Sequence, residues 1–268
     1  MARDITSDKD TRPGMTLNNS RSDNTEALAV ALVRANAAGI GVASAGLPVP
    51  EHADQAMEVQ ALVQRRLDRT VRGWKVALGP EKQPIAAPLQ EMHTAYSEIT
   101  LFPNCTIEVE LAVRLGRDLP TRETGSYERS DILDAIENLV LGIEVIGGRF
   151  EDPENVPFLS FLADNLGNRS YIIGDKLPLN TLEQVGKLKC QVSLNEKSIY
   201  RAAASHSAGD PLLPLLAYAN RQSDYLGGLK AGQIVTTGTL CGVLPVHDAG
   251  LLTAQLDRVG QVSVRLAV

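Results

Sequence analysis

The stretch Thr106–Leu115, TIEVELAVRL, sets Ile107, Val109, Leu111, Val113 and Leu115 on one side of an extended chain. Thr106, Glu108, Glu110, Ala112 and Arg114 fall on the other side. A period of two predicts a β-strand with its odd-numbered residues in the core. Glu108 and Glu110 are then successive residues of the opposite face, their Cα atoms about 7 Å apart at ~3.4 Å per residue. Two carboxylates that close repel unless a cation lies between them. Against this stands the ordinary meaning of an E-x-E on a strand, which is a solvated sheet face.

The next apolar run, LVLGIEVI over residues 139–146, sharpens the choice. Leu141, Ile143 and Val145 share one face of a strand around 141–146, so Glu144 lies on the other. A carboxylate in so apolar a run is hard to reconcile with exposure, and burial without a partner is costly. If the two strands are neighbours, three carboxylates converge. Such hard oxygen ligands suit Mg²⁺ or Mn²⁺, with the remaining positions left to water and substrate.

Outward from this pair, helices are expected first and strands later. Residues 24–38 read as a helix, with N-caps on offer at Ser22, Asp23 and Asn24 and an apolar stripe of Leu28, Ala31, Leu32 and Ala35. Residues 51–68 read as a second helix and 74–78 as a short strand. Ser130 is a cap for a helix to about Leu139. Residues 188–194 alternate, with a turn at Asn195-Glu196. Asp210-Pro211 opens a helix that Gly227-Gly228 ends, and strands fit 234–238 and 261–268. The order is α+β rather than repeated βαβ. Residues 1–24 are polar, lack a hydrophobic signal region and read as a flexible leader.

The 268 residues, 44% of them hydrophobic, suffice for a sizeable core, built mainly from aliphatic residues since aromatics make up 4%. A net charge of −6 argues against a nucleic-acid partner but not against an anionic substrate, because local charge decides that. No apolar run is long enough to cross a bilayer. Three scattered cysteines (Cys105, Cys190, Cys241) in no CxxC arrangement fit a reducing cytoplasm. Gly39-Ile40-Gly41 follows a helix and runs into Pro48, which rules out a dinucleotide loop. Cys241 reads as a small buried apolar residue rather than a nucleophile.

Six segments resemble, in order and spacing, the fumarylacetoacetate hydrolase superfamily on its 2-keto-4-pentenoate hydratase and 4-oxalocrotonate decarboxylase branch. They are EVQALVQRRL (58–67), GWKVALG (73–79), TIEVELAVRLGRDLP (106–120), ENLVLGIEVIGGRF (137–150), FLADNLGNRSYIIGD (161–175) and LGGLKAGQIVTTGTLCG (226–242). The resemblance implies a twisted mixed β roll flanked by helices over 73–268, with a helical segment over 25–72 packed on it. It implies that Glu108, Glu110 and Glu144 hold one divalent metal, that Lys75 faces the substrate, and that Thr237, Gly238 and Thr239 line a carboxylate pocket. Asp164 and Asn165 are candidates to orient water or substrate; an ordinary loop turn accounts for the pair as well. The family is commonly homo-oligomeric.

One segment departs from the branch. Where many members carry an acid–base aspartate after the lysine motif, this chain has PIAAPLQEMH over 84–93, leaving Glu91 or His93 as substitutes. The expected activity is a metal-dependent lyase on small 2-keto or 2-hydroxydienoic acids in aromatic catabolism, hydration of 2-hydroxypenta-2,4-dienoate leading. Decarboxylation of a 4-oxalocrotonate, C–C hydrolysis of an acylpyruvate, and a non-catalytic partner subunit are the alternatives.

Overall fold

The computed structural model of the chain describes residues 14–268, with side chains from Ser22 onward. Six helices are described: α1 Gly14–Ala38, α2 Ala53–Arg66, α3 Arg129–Ala135, α4 Phe158–Ala163, α5 Thr181–Gln184 and α6 Leu213–Ala219. The first strands are β1 Gly73–Leu78, β2 Pro84–Pro88, β3 Met92–Thr94, β4 Glu98–Thr100 and β5 Thr106–Leu115. Next come β6 Ile136–Ile146, β7 Asn168–Leu177, β8 Lys189–Leu194 and β9 Lys197–Ala203. The last are β10 Ile234–Thr239, β11 Leu244–Pro245, β12 Gly250–Leu256 and β13 Gly260–Ala267.

These strands form two curled sheets. The larger is ordered β2-β1-β10-β5-β6-β7-β3, with β11 added to β5; the smaller is β4-β13-β12-β8-β9. The large sheet is mixed, because β1 runs parallel to β10 and β3 parallel to β7 while the other pairs are antiparallel. β13 packs on β6 and β7, and Gly174 permits the contact, since a Cβ there would come within 2.4 Å of Val262 Cβ. The two sheets enclose the main core, which takes in Ile107, Val109, Leu111 and Val113 with Trp74, Val192, Val264 and Tyr218. A second core joins α1, α2 and α4 through Leu28, Leu32, Val59, Val63 and Leu162.

Several expectations are corrected. α1 begins at Gly14, so residues 14–24 of the expected leader are helical, and Ser22, Asp23 and Asn24 are exposed helix-interior residues rather than caps. Residues 1–13 of that leader lie outside the described residues. α3 starts after the N-cap Glu128, not Ser130, and stops at Ala135. From Ile136 the chain pairs with β5 instead, Ile136 against Leu115 and Asn138 against Arg114, and the ladder overrides the helical pattern. α6 ends at Ala219, well before Gly227. There Asn220 bonds both backbone groups of Tyr127, at 2.6 and 3.0 Å, and carries the chain away. No described helix is long and apolar enough to cross a membrane.

Candidate metal centre

Strand pairing assembles the site. Glu108 on β5 stands directly opposite Glu144 on β6, and Glu110 opposite Gly142. On the other flank Thr236 of β10 pairs with both Ala112 and Lys75. Lys75, Thr236, Glu110, Glu108 and Glu144 therefore share one face of the large sheet, the face away from the main core.

That face is not solvated. Glu108 is 8% exposed, and Glu110 and Glu144 are fully buried. A small second cluster of Leu89, Ala112, Val140, Tyr171 and Ile234 covers the same side. Solvation thus fails to explain the E-x-E pair, and the charges must be met within the protein. Lys75 Nζ donates to Glu144 Oε2 at 2.6 Å and to Glu108 Oε2 at 3.4 Å. Asn168 Nδ2 donates to Glu144 Oε1 at 2.9 Å. The hydroxyl of Thr236 donates to Glu110 Oε2, while Glu110 Oε1 is buried with no hydrogen-bond partner among the described residues.

Three carboxylates against one ammonium leave an excess of negative charge. Burial, then the charge of Glu144, holds the Glu110 carboxyl well above its ordinary range. Burial likewise raises Glu144, with Lys75 opposing. Burial alone would lower Lys75, but Glu144, Glu108 and Glu110 outweigh it and the ammonium is held above its ordinary value. One oxygen from each carboxylate lies within 4.8 Å of the others. Together with the orphaned Glu110 Oε1, this donor set fits a hard divalent cation bound through oxygen.

Other expected residues lie around this core. Thr239 is in register with Glu110 beyond an irregularity in β10, but its hydroxyl donates to Gly242 O at 3.0 Å and closes the following turn. The Thr237 hydroxyl meets His206 Nε2 at 3.3 Å. Gly238 has φ +136°, and a Cβ there would come within 2.3 Å of Ser207 Oγ, so glycine is required. Burial pushes His206 down to about 4, and its Nδ1 accepts from Ala208 N, so at neutral pH it offers Thr237 an uncharged N–H.

Asp164 and Asn165 stand apart. Asp164 Oδ2 accepts from Arg149 N at 2.6 Å and Oδ1 lies 3.4 Å from Arg149 Nη1. Asn165 adopts φ +55°, with its Oδ1 buried and unpartnered. Among the described residues neither hydrogen-bonds to the carboxylate cluster. Glu91 and His93 face each other at 3.6 Å beside Arg69 and Arg169.

Three contributors escaped the sequence reading: Thr236, Asn168 and Tyr171. The Tyr171 hydroxyl crosses over Gly142, where a Cβ would meet it at 2.1 Å. Thr236 had a usable signal. Once β10 is aligned with β1, parity puts Thr236, not Thr237, beside Lys75.

Residues 41–266 match the model of the fumarylacetoacetate (FAA) hydrolase C-terminal family. The chain belongs to this family. Curated relatives include 2-keto-4-pentenoate hydratase 1 of Dechloromonas aromatica (strain RCB), 26% identical over 215 residues that cover 78% of this chain and 80% of the relative. The 2-keto-4-pentenoate hydratase of Paraburkholderia xenovorans (strain LB400) is 26% identical over 228 residues, 78% of this chain and 82% of the relative. Among solved structures, 4-oxalocrotonate decarboxylase from Pseudomonas putida G7, complexed with magnesium and adipate, superposes with TM-score 0.77 at 21% identity. The match covers 92% of this chain and 98% of that one, and it supports the family's mixed curled sheet with flanking helices. Fumarylpyruvate hydrolase from Pseudomonas aeruginosa, in complex with Mn²⁺ and pyruvate, gives 0.51 at 16% identity, covering 75% and 91%.

Proposed function

We propose that this member of the FAA hydrolase family is a Mg²⁺- or Mn²⁺-dependent hydro-lyase acting on small 2-hydroxydienoic or 2-keto acids, with 2-hydroxypenta-2,4-dienoate as the leading substrate. The observation that carries the reading is the convergence of three buried carboxylates, Glu108, Glu110 and Glu144, under a single lysine. Glu108, Glu110 and Glu144 would hold a divalent cation, which would supply Lewis-acid stabilisation of negative charge developing on the substrate. The names of the curated relatives support the substrate class.

Hydration adds a proton and a hydroxyl across a carbon–carbon double bond. Lys75 Nζ meets Glu144 and Glu108 on the partly open side of the cluster and serves as a positive donor to substrate oxygen. The segment Thr237, Gly238 and Thr239 meets the substrate carboxylate through its backbone, since the Thr237 hydroxyl is turned to His206 and the Thr239 hydroxyl to Gly242 O. Asp164 acts at one remove. Asp164 fixes Arg149, Arg149 Nη1 donates to Asn168 O at 2.6 Å, and Asn168 steadies Glu144. We place the enzyme in the cytoplasm, following its scattered cysteines, and as a homo-oligomer, following the expectation from its family.

The test is turnover by the purified protein with Mg²⁺, read as ultraviolet loss of the dienol with product identification. A hydrated 2-oxo acid product is expected. Release of CO₂ from an oxalocrotonate, or cleavage of an acylpyruvate, with no hydration would replace the reaction. Inertness toward all three classes would leave only the partner-subunit reading.

A further inference from the structure

A second polar centre lies beyond β7. A cavity of about 480 Å³ opens between the end of α1 and the edge strands β3 and β4. The guanidiniums of Arg69, Arg149 and Arg169 all line it. Arg149 is buried and satisfied by Asn168 O and Asp164, so it forms a fixed positive wall. Arg169 is oriented by backbone carbonyls and an aromatic ring. Its Nε donates to Gly147 O at 2.8 Å, its guanidinium lies 4.7 Å over the Phe102 ring, and among the described residues it makes no ion pair. Arg69 holds Gln90 Oε1 and reaches Glu91 only at 4.0 Å.

The acids facing this space are weak counterweights. Glu91 is more than half exposed, and Glu98, on β4, is exposed and makes no ion pair among the described residues. Burial lowers Arg69 from its ordinary value, with Glu91 opposing and Arg149 adding less; burial and then Arg149 lower Arg169, against Asp164 and Glu91. Each guanidinium carries five N–H donors, and Arg169 spends few of them. Oriented, partly desolvated guanidiniums with unspent donors match the planar geometry of a carboxylate or phosphate. The volume suits a small ligand.

We propose that this cavity is a binding site for a small oxyanion, separate from the carboxylate cluster. The full-length protein, dialysed free of divalent metal, is titrated calorimetrically with inorganic phosphate and, separately, with acetate. Saturable binding is expected, weakened at least ~10-fold in Arg169→Gln and in Arg69→Gln, as for loss of a charge-assisted hydrogen bond. Arg69 holds only side chains, so Arg69→Gln keeps the test available if the first variant does not fold; thermal melts establish folding. Response to phosphate alone marks a phosphate ligand, and response to acetate marks a carboxylate. A flat titration with both anions, or unchanged affinity in the folded variants, overturns the site. With no divalent metal present, the outcome does not depend on the proposed lyase reaction.

Discussion

Two buried charge clusters flank Asn168, and they are built to opposite rules. On the Glu144 side, three carboxylates meet one ammonium, Glu110 Oε1 is left unpartnered, and the carboxyl groups of Glu110 and Glu144 are pushed up by burial. At Arg149 and Asp164, one cation meets one anion at 3.4 Å, Arg149 also donates to Asn168 O and Asn36 Oδ1, and burial raises the Asp164 carboxyl against the pull of Arg149. Within the second pair each charge meets its opposite. The first needs either a further cation or a proton on Glu110. Burial by itself therefore does not mark a functional centre; an uncompensated sum of charges does.

The largest effect expected from this contrast is on metal removal. Exhaustive chelation should abolish turnover, Mg²⁺ or Mn²⁺ should restore it, and Zn²⁺ should restore it poorly, because the cluster offers no His or Cys ligand. Activity that survives chelation would sink the assignment of Glu108, Glu110 and Glu144.

Breaking the second pair should cost stability instead. Asp164→Ala strands the Arg149 guanidinium, 3% exposed, without its counter-ion, and should lower stability by about 3–5 kcal/mol. Denaturant unfolding measures this. A loss within the range of a surface substitution would mean that the Asn168 carbonyl alone satisfies Arg149.

At Lys75 the cost should fall on chemistry. Lys75→Met keeps the aliphatic stem and removes the charge, so kcat should fall at least ~10²-fold while Mn²⁺ still binds. If turnover persists at the wild-type rate, the lysine serves only as a counter-charge for Glu144.

Much of the first cluster was legible from residues 106–146. Alternation in TIEVELAVRL predicts β5 with its observed bounds, and the apolar setting of Glu144 points to burial with a purpose. What escaped depends on register. Asn168 meets Glu144 only because pairing shifts between Val145 and Ile146, and no local periodicity reports such a shift. Glu91 and His93, candidates for the absent aspartate, sit one strand too far out. β3 is the sheet's last strand, paired with β7, which turns both toward the arginine cavity. Helix ends failed where a tertiary partner outbid the local signal, as at Ile136 and Asn220.

The smallest effect separates charge imbalance from burial most cleanly. In metal-free protein the Glu110 carboxyl titrates well above its unfolded value, by burial first and Glu144 next. A group raised in this way binds its proton more tightly when folded. Its favourable contribution is present in full below the unfolded value of 4.5 and is lost as pH rises towards the raised folded value. Glu110→Gln removes that titration and the repulsion with it. The thermal melting advantage of metal-free Glu110→Gln over metal-free wild type should therefore grow as pH is raised from about 5 to 8, by a few degrees. Saturating Mn²⁺ should reverse the order, since only wild type keeps all three ligands. A melting difference that stays flat with pH would mean that Lys75 and Thr236 already balance Glu110, and the excess charge that distinguishes this cluster from the Arg149–Asp164 pair would be gone.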